Sequence, residues 1–109
     1  MVPYNSPEEY LFNLETYTSS EARKMWRSDI IRSWNSYCAY CGSNKDITLD
    51  HILPLAKGGS NLTSNLICCC KRCNRSKAHT DVEQWYRNQD FFSEEKYAII
   101  KQWMQSRKS

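Results

Sequence analysis

Two kinds of periodicity divide this chain. Toward both ends apolar side chains recur every three to four positions, as on one face of a helix; near the middle they alternate, as in a strand. Ser6-Pro7-Glu8-Glu9 reads as a helix start, with serine at the cap, proline at the first helical position and acids in the first turn. Tyr10, Leu11 and Leu14 supply its apolar side. Thr18-Ser19-Ser20-Glu21 has the spacing of a capping box, and a second helix is predicted from there to about Asn35. Its buried stripe is Trp26, Ile30, Trp34 and Tyr37, while Arg23, Lys24, Arg27 and Arg32 fall off that stripe. Those four cations suit either a solvated face or contact with phosphate. Residues 47–52 predict a strand, Lys57-Gly58-Gly59-Ser60-Asn61 a turn, and residues 65–69 a second strand. A basic helix should follow from Lys71 to about Lys77. Val82, Trp85 and Tyr86 mark one further helix, and Ser93-Glu94-Glu95 caps the next, whose stripe is Tyr97, Ile100, Trp103 and Met104. Phe91 and Phe92 stand in the break between the two. These aromatic stripes are core or docking surface rather than chemistry.

The expected class is therefore α+β in a single domain of 109 residues. A helical region spans residues 1–36, a compact centre residues 37–79, and a helical pair residues 80–109. So short a chain buries a modest core, which makes a metal staple plausible. No stretch approaches the ~20 apolar residues of a membrane helix. The N-terminal sequence has neither a basic nor an apolar signal region, so the expected compartment is the cytoplasm. The six cysteines should then be reduced, and metal is a better first reading than disulfides. The net charge of +3 permits a nucleic-acid partner without demanding one.

All six cysteines lie in the centre. Cys38-Ala39-Tyr40-Cys41 and Cys70-Lys71-Arg72-Cys73 are two C-x-x-C pairs, each able to bring two thiolates to a tetrahedral zinc from one turn. A closed four-thiolate site has no open position, so this zinc should hold the fold rather than react. The 28 residues between the pairs must fold as an insert. Cys68 and Cys69 precede the second pair on the strand and read as one packed thiol and one semi-exposed thiol. The insert carries Asp50-His51, then Asn65, and Asn74 directly follows Cys73. An isolated Asp-His pair is weak evidence; its company is what counts.

The order Cys38-x-x-Cys41-Gly42, Leu49-Asp50-His51-Ile52-x-Pro54, Gly58-Gly59-Ser60-Asn61, Asn65-Leu66, Cys70-x-x-Cys73-Asn74-x-x-Lys77 resembles the HNH endonucleases of the four-cysteine, zinc-bearing type. The likeness covers about 40 of the 109 residues and places His51, Asn65 and Asn74 at the three name-giving positions, the last being asparagine where histidine is usual. It implies a ββα-metal core: two strands and a helix around one catalytic cation. It implies that His51 is the general base, neutral imidazole being suited to that role near its ordinary pKa of ~6.5. Asp50 and Asn74 would be the oxygen ligands of Mg²⁺ or Mn²⁺. Asn65 would fix the loop and orient His51, and His79 is an accessory candidate. Lys71, Arg72, Arg75 and Lys77 would contact the backbone of double-stranded DNA.

The activity so implied is metal-dependent DNA cleavage, as a nick or a double-strand break, in an enzyme of phage or homing type. The alternative is a zinc-stapled nucleic-acid-binding module that does not cut. Asp50, His51 and Asn74 together favour the enzyme, because a zinc ribbon has no need of them. No small-molecule cofactor and no membrane are implied, and either a monomer or a homodimer would serve.

Overall fold

In a computed structural model, residues 3–106 are described. They form α1 (Pro7–Phe12), α2 (Ser19–Ser33), β1 (Ile47–His51), β2 (Leu66–Cys70), α3 (Lys71–Lys77), α4 (Val82–Arg87) and α5 (Glu94–Gln105). Two 3₁₀ turns, Leu55–Lys57 and Thr63–Asn65, punctuate the β1–β2 connection. The α+β class holds, and each expected element lies within two residues of its predicted bounds.

Caps set several of those bounds. The Thr18 hydroxyl accepts from the Glu21 amide and donates to the Glu21 carboxylate, so α2 starts where two otherwise orphaned groups find partners. Asp81 and Ser93 cap α4 and α5 in the same way, through Gln84 N and Lys96 N. Ser6 differs: it stands at the α1 cap position in extended conformation, but its side chain makes no capping bond. Two apolar positions also fall outside their predicted stripes. Leu14 and Tyr37 lie beyond the ends of α1 and α2 and are exposed, since α1 stops two residues short of Leu14 and α2 a turn short of Tyr37.

β1 and β2 pair antiparallel, with Asp50 opposite Ile67 and His51 opposite Leu66. Period-two alternation sends successive side chains to opposite faces. On one face, Leu49 and Leu66 meet Tyr10, Ala22, Trp26 and Ile30 of the α1–α2 pair. On the other, Ile67 and Cys69 join Tyr40, Ile52, Trp85, Tyr86, Tyr97 and Ile100. Every residue of β2 is buried, because it is covered on both sides. Cys68 and Cys69 are accordingly both fully buried, and the semi-exposed thiol expected from the sequence is not found.

Polar ties lock the helices to this sheet. The Trp26 indole donates to Thr63 Oγ1 at 2.7 Å, and Trp103 of α5 donates to the Leu66 carbonyl at 2.7 Å. Tyr10 donates to the buried Asp29 carboxylate at 2.7 Å, fixing α1 across α2. Thr63 also holds the N-terminal segment: its hydroxyl bonds the Tyr4 carbonyl, and its amide donates to the Asn5 carbonyl.

The β1–β2 connection has one steric bottleneck. A Cβ on Gly59 would overlap the Leu53 carbonyl oxygen and stand 2.9 Å from Asn65 Nδ2. Backbone on one side and a three-bonded amide on the other leave no direction of relief. Gly59→Ala should therefore cost about 1–3 kcal/mol, as overpacking does. At ~4–8 °C per kcal/mol for a domain this small, a thermal melt should fall by several degrees or more. An unchanged Tm would show that the connection is looser than this packing implies.

Candidate active site

The two C-x-x-C turns are brought together by the β2–α3 junction. Cys70 ends β2 and caps α3, accepting from Cys73 N through its sulfur, and Cys41 N approaches Cys38 Sγ in the same way. Each turn thus points a backbone amide at the sulfur of its first cysteine. Gly42, at φ +82°, follows the first turn, where a left-handed residue lets its amide return to the Cys38 carbonyl. The sulfurs of Cys38, Cys41, Cys70 and Cys73 all lie within 4.8 Å of one another, and Cys41 and Cys70 are 3.7 Å apart. A tetrahedral ion with metal–sulfur bonds of ~2.3 Å requires sulfurs about 3.8 Å apart. The cluster is thus already near the size that one metal ion needs. Cys68 stands outside it, and burial pushes its thiol up to about 12, which leaves it an inert packing group. Cys69 spends its thiol on the Cys70 carbonyl.

Asp50 and His51 close β1 and leave it on opposite faces. Asp50 faces α3, half-buried, with the Lys77 ammonium 3.2 Å from Oδ2. Burial raises its carboxyl above the ordinary range, and the Lys77 charge pulls it part of the way back. Oδ2 is buried, and the Lys77 ammonium balances its charge. A carboxylate is also the kind of donor that a hard cation takes. Asn74, on the first turns of α3, lines the same cleft of about 190 Å³, together with Asp50, His51, His79 and Ala78. His79 reaches it because Ala78 ends α3 with φ 47° and turns the chain back. His51 faces the α2 side, and its Nε2 is 2.8 Å from Asn61 Oδ1.

The remaining expected residues divide. Asn65 is nearly buried and spends its amide on the loop: Oδ1 accepts from Leu53 N, and Nδ2 donates to the Leu53 and Ser60 carbonyls. Its side chain therefore fixes the connection, while the contact with the His51 ring comes from Asn61. The sequence carried a signal for this, an asparagine in the Gly58-Gly59-Ser60-Asn61 turn, but not the fold-back that sets it against a ring ten positions away. Lys71, Arg72 and Arg75 are exposed on α3 and line, with Asn74 and Asp46, a shallow basin of about 600 Å³. Lys77, grouped with them from sequence, is instead fully buried. It stands one turn after the buried Cys73, on the inner face of α3, and its ammonium donates to the His51 carbonyl at 2.9 Å as well as facing Asp50. It ties the end of β1 to α3 rather than offering charge to solvent.

Comparison with known proteins bears on this arrangement. A family profile described as HNH endonuclease matches residues 38–90. The chain is 40% identical over 68 residues to a CRISPR-associated endonuclease Cas9 of Corynebacterium diphtheriae, an alignment covering 59% of this chain and 6% of that protein. It is 34% identical over 87 residues to a protein of the SPbeta prophage of Bacillus subtilis, named provisionally as an HNH endonuclease; 65% of this chain and 36% of that one are covered. The crystal structure of the Type II-C Cas9 enzyme from Actinomyces naeslundii shares the fold, at a TM-score of 0.55 and 23% identity, over 92% of this chain and 12% of that one. The chain thus spans about a third or less of the length of these relatives. Both C-x-x-C pairs, the Asp50-His51 strand end and Asn74 all fall inside the matched stretch, and residues 38–90 belong to the HNH endonuclease family.

Proposed function

We propose that this chain hydrolyses phosphodiester bonds of double-stranded DNA, with the cleft at the end of β1 as its catalytic centre. The observation that carries the reading is the convergence of Asp50, His51, Asn74 and His79 on that one cleft, with α3 cations on its border. Zinc occupies the four-cysteine cluster, whose size and closed thiolate set suit it. Asp50 and Asn74 hold Mg²⁺ or Mn²⁺ through oxygen. When bound, that cation offsets the negative charge that grows on the phosphate as the bond breaks.

The chain's own groups do the rest. With the Asn61 amide oxygen against Nε2, that nitrogen carries the ring proton, because a carbonyl oxygen only accepts. Nδ1 then keeps its lone pair and takes the proton from the attacking water. The water oxygen bonds to phosphorus, the bond from phosphorus to the 3′ oxygen breaks, and the products are a 5′ phosphate and a 3′ hydroxyl. Asn61 positions the ring, Asn65 holds the loop that carries Asn61, and Lys77 holds the strand end beneath it. His79, which lines the same cleft, bonds a phosphate oxygen from the far wall. One such site cuts one strand, so a monomer nicks, and a double-strand break takes two copies. No disulfide joins any of the six cysteines, which suits work in a reducing cytoplasm. The prophage relative favours a phage or mobile-element origin.

The test is conversion of supercoiled plasmid by the purified protein. Open circles should form with Mg²⁺ or Mn²⁺ and not with EDTA, and should precede linear product. Zinc-loaded, DNA-bound protein that cuts in neither metal would favour the binding module without cleavage.

A further inference from the structure

His51 lines a second groove besides the catalytic cleft. This groove, of about 530 Å³, runs from the end of β1 along α2 and is walled by Arg23, Arg27, Asn61, Leu62 and the start of α1. Arg23 and Arg27 are four positions apart, so they stand one above the other on a single face, ~6 Å apart along the helix axis. Both are exposed, and neither forms a salt bridge among the described residues. Other arginines are committed: Arg32 pairs with Asp29, and Arg87 with Glu83 and Glu94. The buried Trp26 lies between Arg23 and Arg27 in sequence and ties α2 to Thr63, two residues from Asn61. The two guanidinium groups are therefore carried on a wall fixed to the loop that positions the His51 ring. Glu8 is the one acid on that wall.

Three hollows join through shared residues. Asn74 borders both the α3 basin and the catalytic cleft, and His51 borders both the cleft and the α2 groove. Unspent positive charge stands at each end, with the candidate chemistry in the middle.

We infer that the DNA strand being cut lies along this line, and that Arg23 and Arg27 hold phosphates on the α2 side of the scissile bond while Lys71, Arg72 and Arg75 hold those on the other. The inference rests on the proposed nuclease reading and extends it, giving α2 a part in substrate binding. Arginine suits the task because its planar fork can bond two phosphate oxygens at once.

The test is the salt dependence of binding to a fluorescent ~20-base-pair duplex, without added divalent cation so that the DNA stays intact. The double variant Arg23→Gln/Arg27→Gln is compared with wild type and with Lys24→Gln, a cation of the same helix that does not line the groove. Each phosphate contact contributes ~0.9 to the slope of log affinity against log salt, so the double variant should lose about 1.8. Between 50 and 200 mM salt, wild-type affinity should then fall about tenfold more than the variant's. Lys24→Gln should keep the wild-type slope. Equal slopes for the double variant and wild type, with zinc content and Tm unchanged, would overturn the strand path. So would an equal loss in Lys24→Gln, which would mean only diffuse charge. Plasmid nicking by the wild type, run in parallel, separates the two failures: cutting with unchanged slopes removes the path alone, whereas absence of both binding and cutting removes the nuclease reading beneath it.

Discussion

Cys38→Ser and Cys73→Ser are each expected to release the zinc proposed for the four-cysteine cluster and to unfold the centre of the chain. Binding of structural zinc contributes an apparent ~10–16 kcal/mol in small metal-dependent folds. The stability of a whole domain is only ~5–15 kcal/mol. The metal is thus comparable to everything else that holds the fold, and a serine hydroxyl is no substitute for a thiolate ligand. The geometry adds to the loss. Cys38 and Cys73 are 2% and 3% exposed and belong to the same core as Tyr40, Trp85, Tyr86 and Ile100. Opening the cluster frees the turn before β1 from the start of α3, and with it the packing of α4 and α5. Elemental analysis should show less than one zinc per chain, and circular dichroism should show lost helix and no cooperative melt. Cys69→Ser is the control: its sulfur is not one of the four and bonds the Cys70 backbone carbonyl, a bond serine can keep, so the variant should keep its zinc and melt cooperatively, a few degrees lower. A zinc-free Cys73→Ser protein with native helix content would refute the structural role of the metal.

What could be read from the sequence was local. Helix starts at Thr18 and Ser93, the two strands and the paired C-x-x-C turns are each set by residues within a few positions of one another. The pairing of the thiols across 28 residues was legible as well, because the spacing inside each pair admits little else. What escaped was the set of contacts made by chain segments that meet only after folding. Lys77 looks like its basic neighbours in sequence, but the turn of α3 that buries Cys73 also buries it, 26 residues from the carbonyl it bonds. Asn61 and Asn65 carry the same amide four positions apart, and only the folded loop shows that one holds the connection while the other reaches the His51 ring. Arg23 and Arg27 could be placed off the buried stripe of α2, but not at the edge of a groove shared with His51, because Trp26 meets Thr63 across 37 positions. Residues 1–2 and 107–109 lie outside the described part, and with them the ends of the two helical regions expected from sequence.

His51→Ala is expected to remove cleavage while leaving the zinc, the fold and DNA binding in place. The separation follows from what the ring touches. Its one hydrogen bond is to Asn61, an exposed amide that water can satisfy when the ring is gone. The structural bond at this residue, from Lys77, goes to the His51 carbonyl and survives any change of side chain. His51 is itself only half-buried, at the rim where two hollows meet, so truncation opens no sealed cavity. The melting temperature should accordingly move by no more than a few degrees. The rate has no such protection. A positioned base contributes ~10²–10⁴-fold, and no other imidazole occupies the α2 side of the cleft. His79 lies on the far side, after α3, and is not placed to substitute. Nicking of supercoiled plasmid in Mn²⁺ should fall by at least ~10²-fold, with the salt slope of duplex binding unchanged. Asn61→Ala should give a smaller loss, because it frees the ring without removing the base. Wild-type nicking by His51→Ala would move the base elsewhere in the cleft. Loss of zinc or of the melt in that variant would make His51 a structural residue, an outcome that its exposure and the lone hydrogen bond its ring makes among the described residues both argue against.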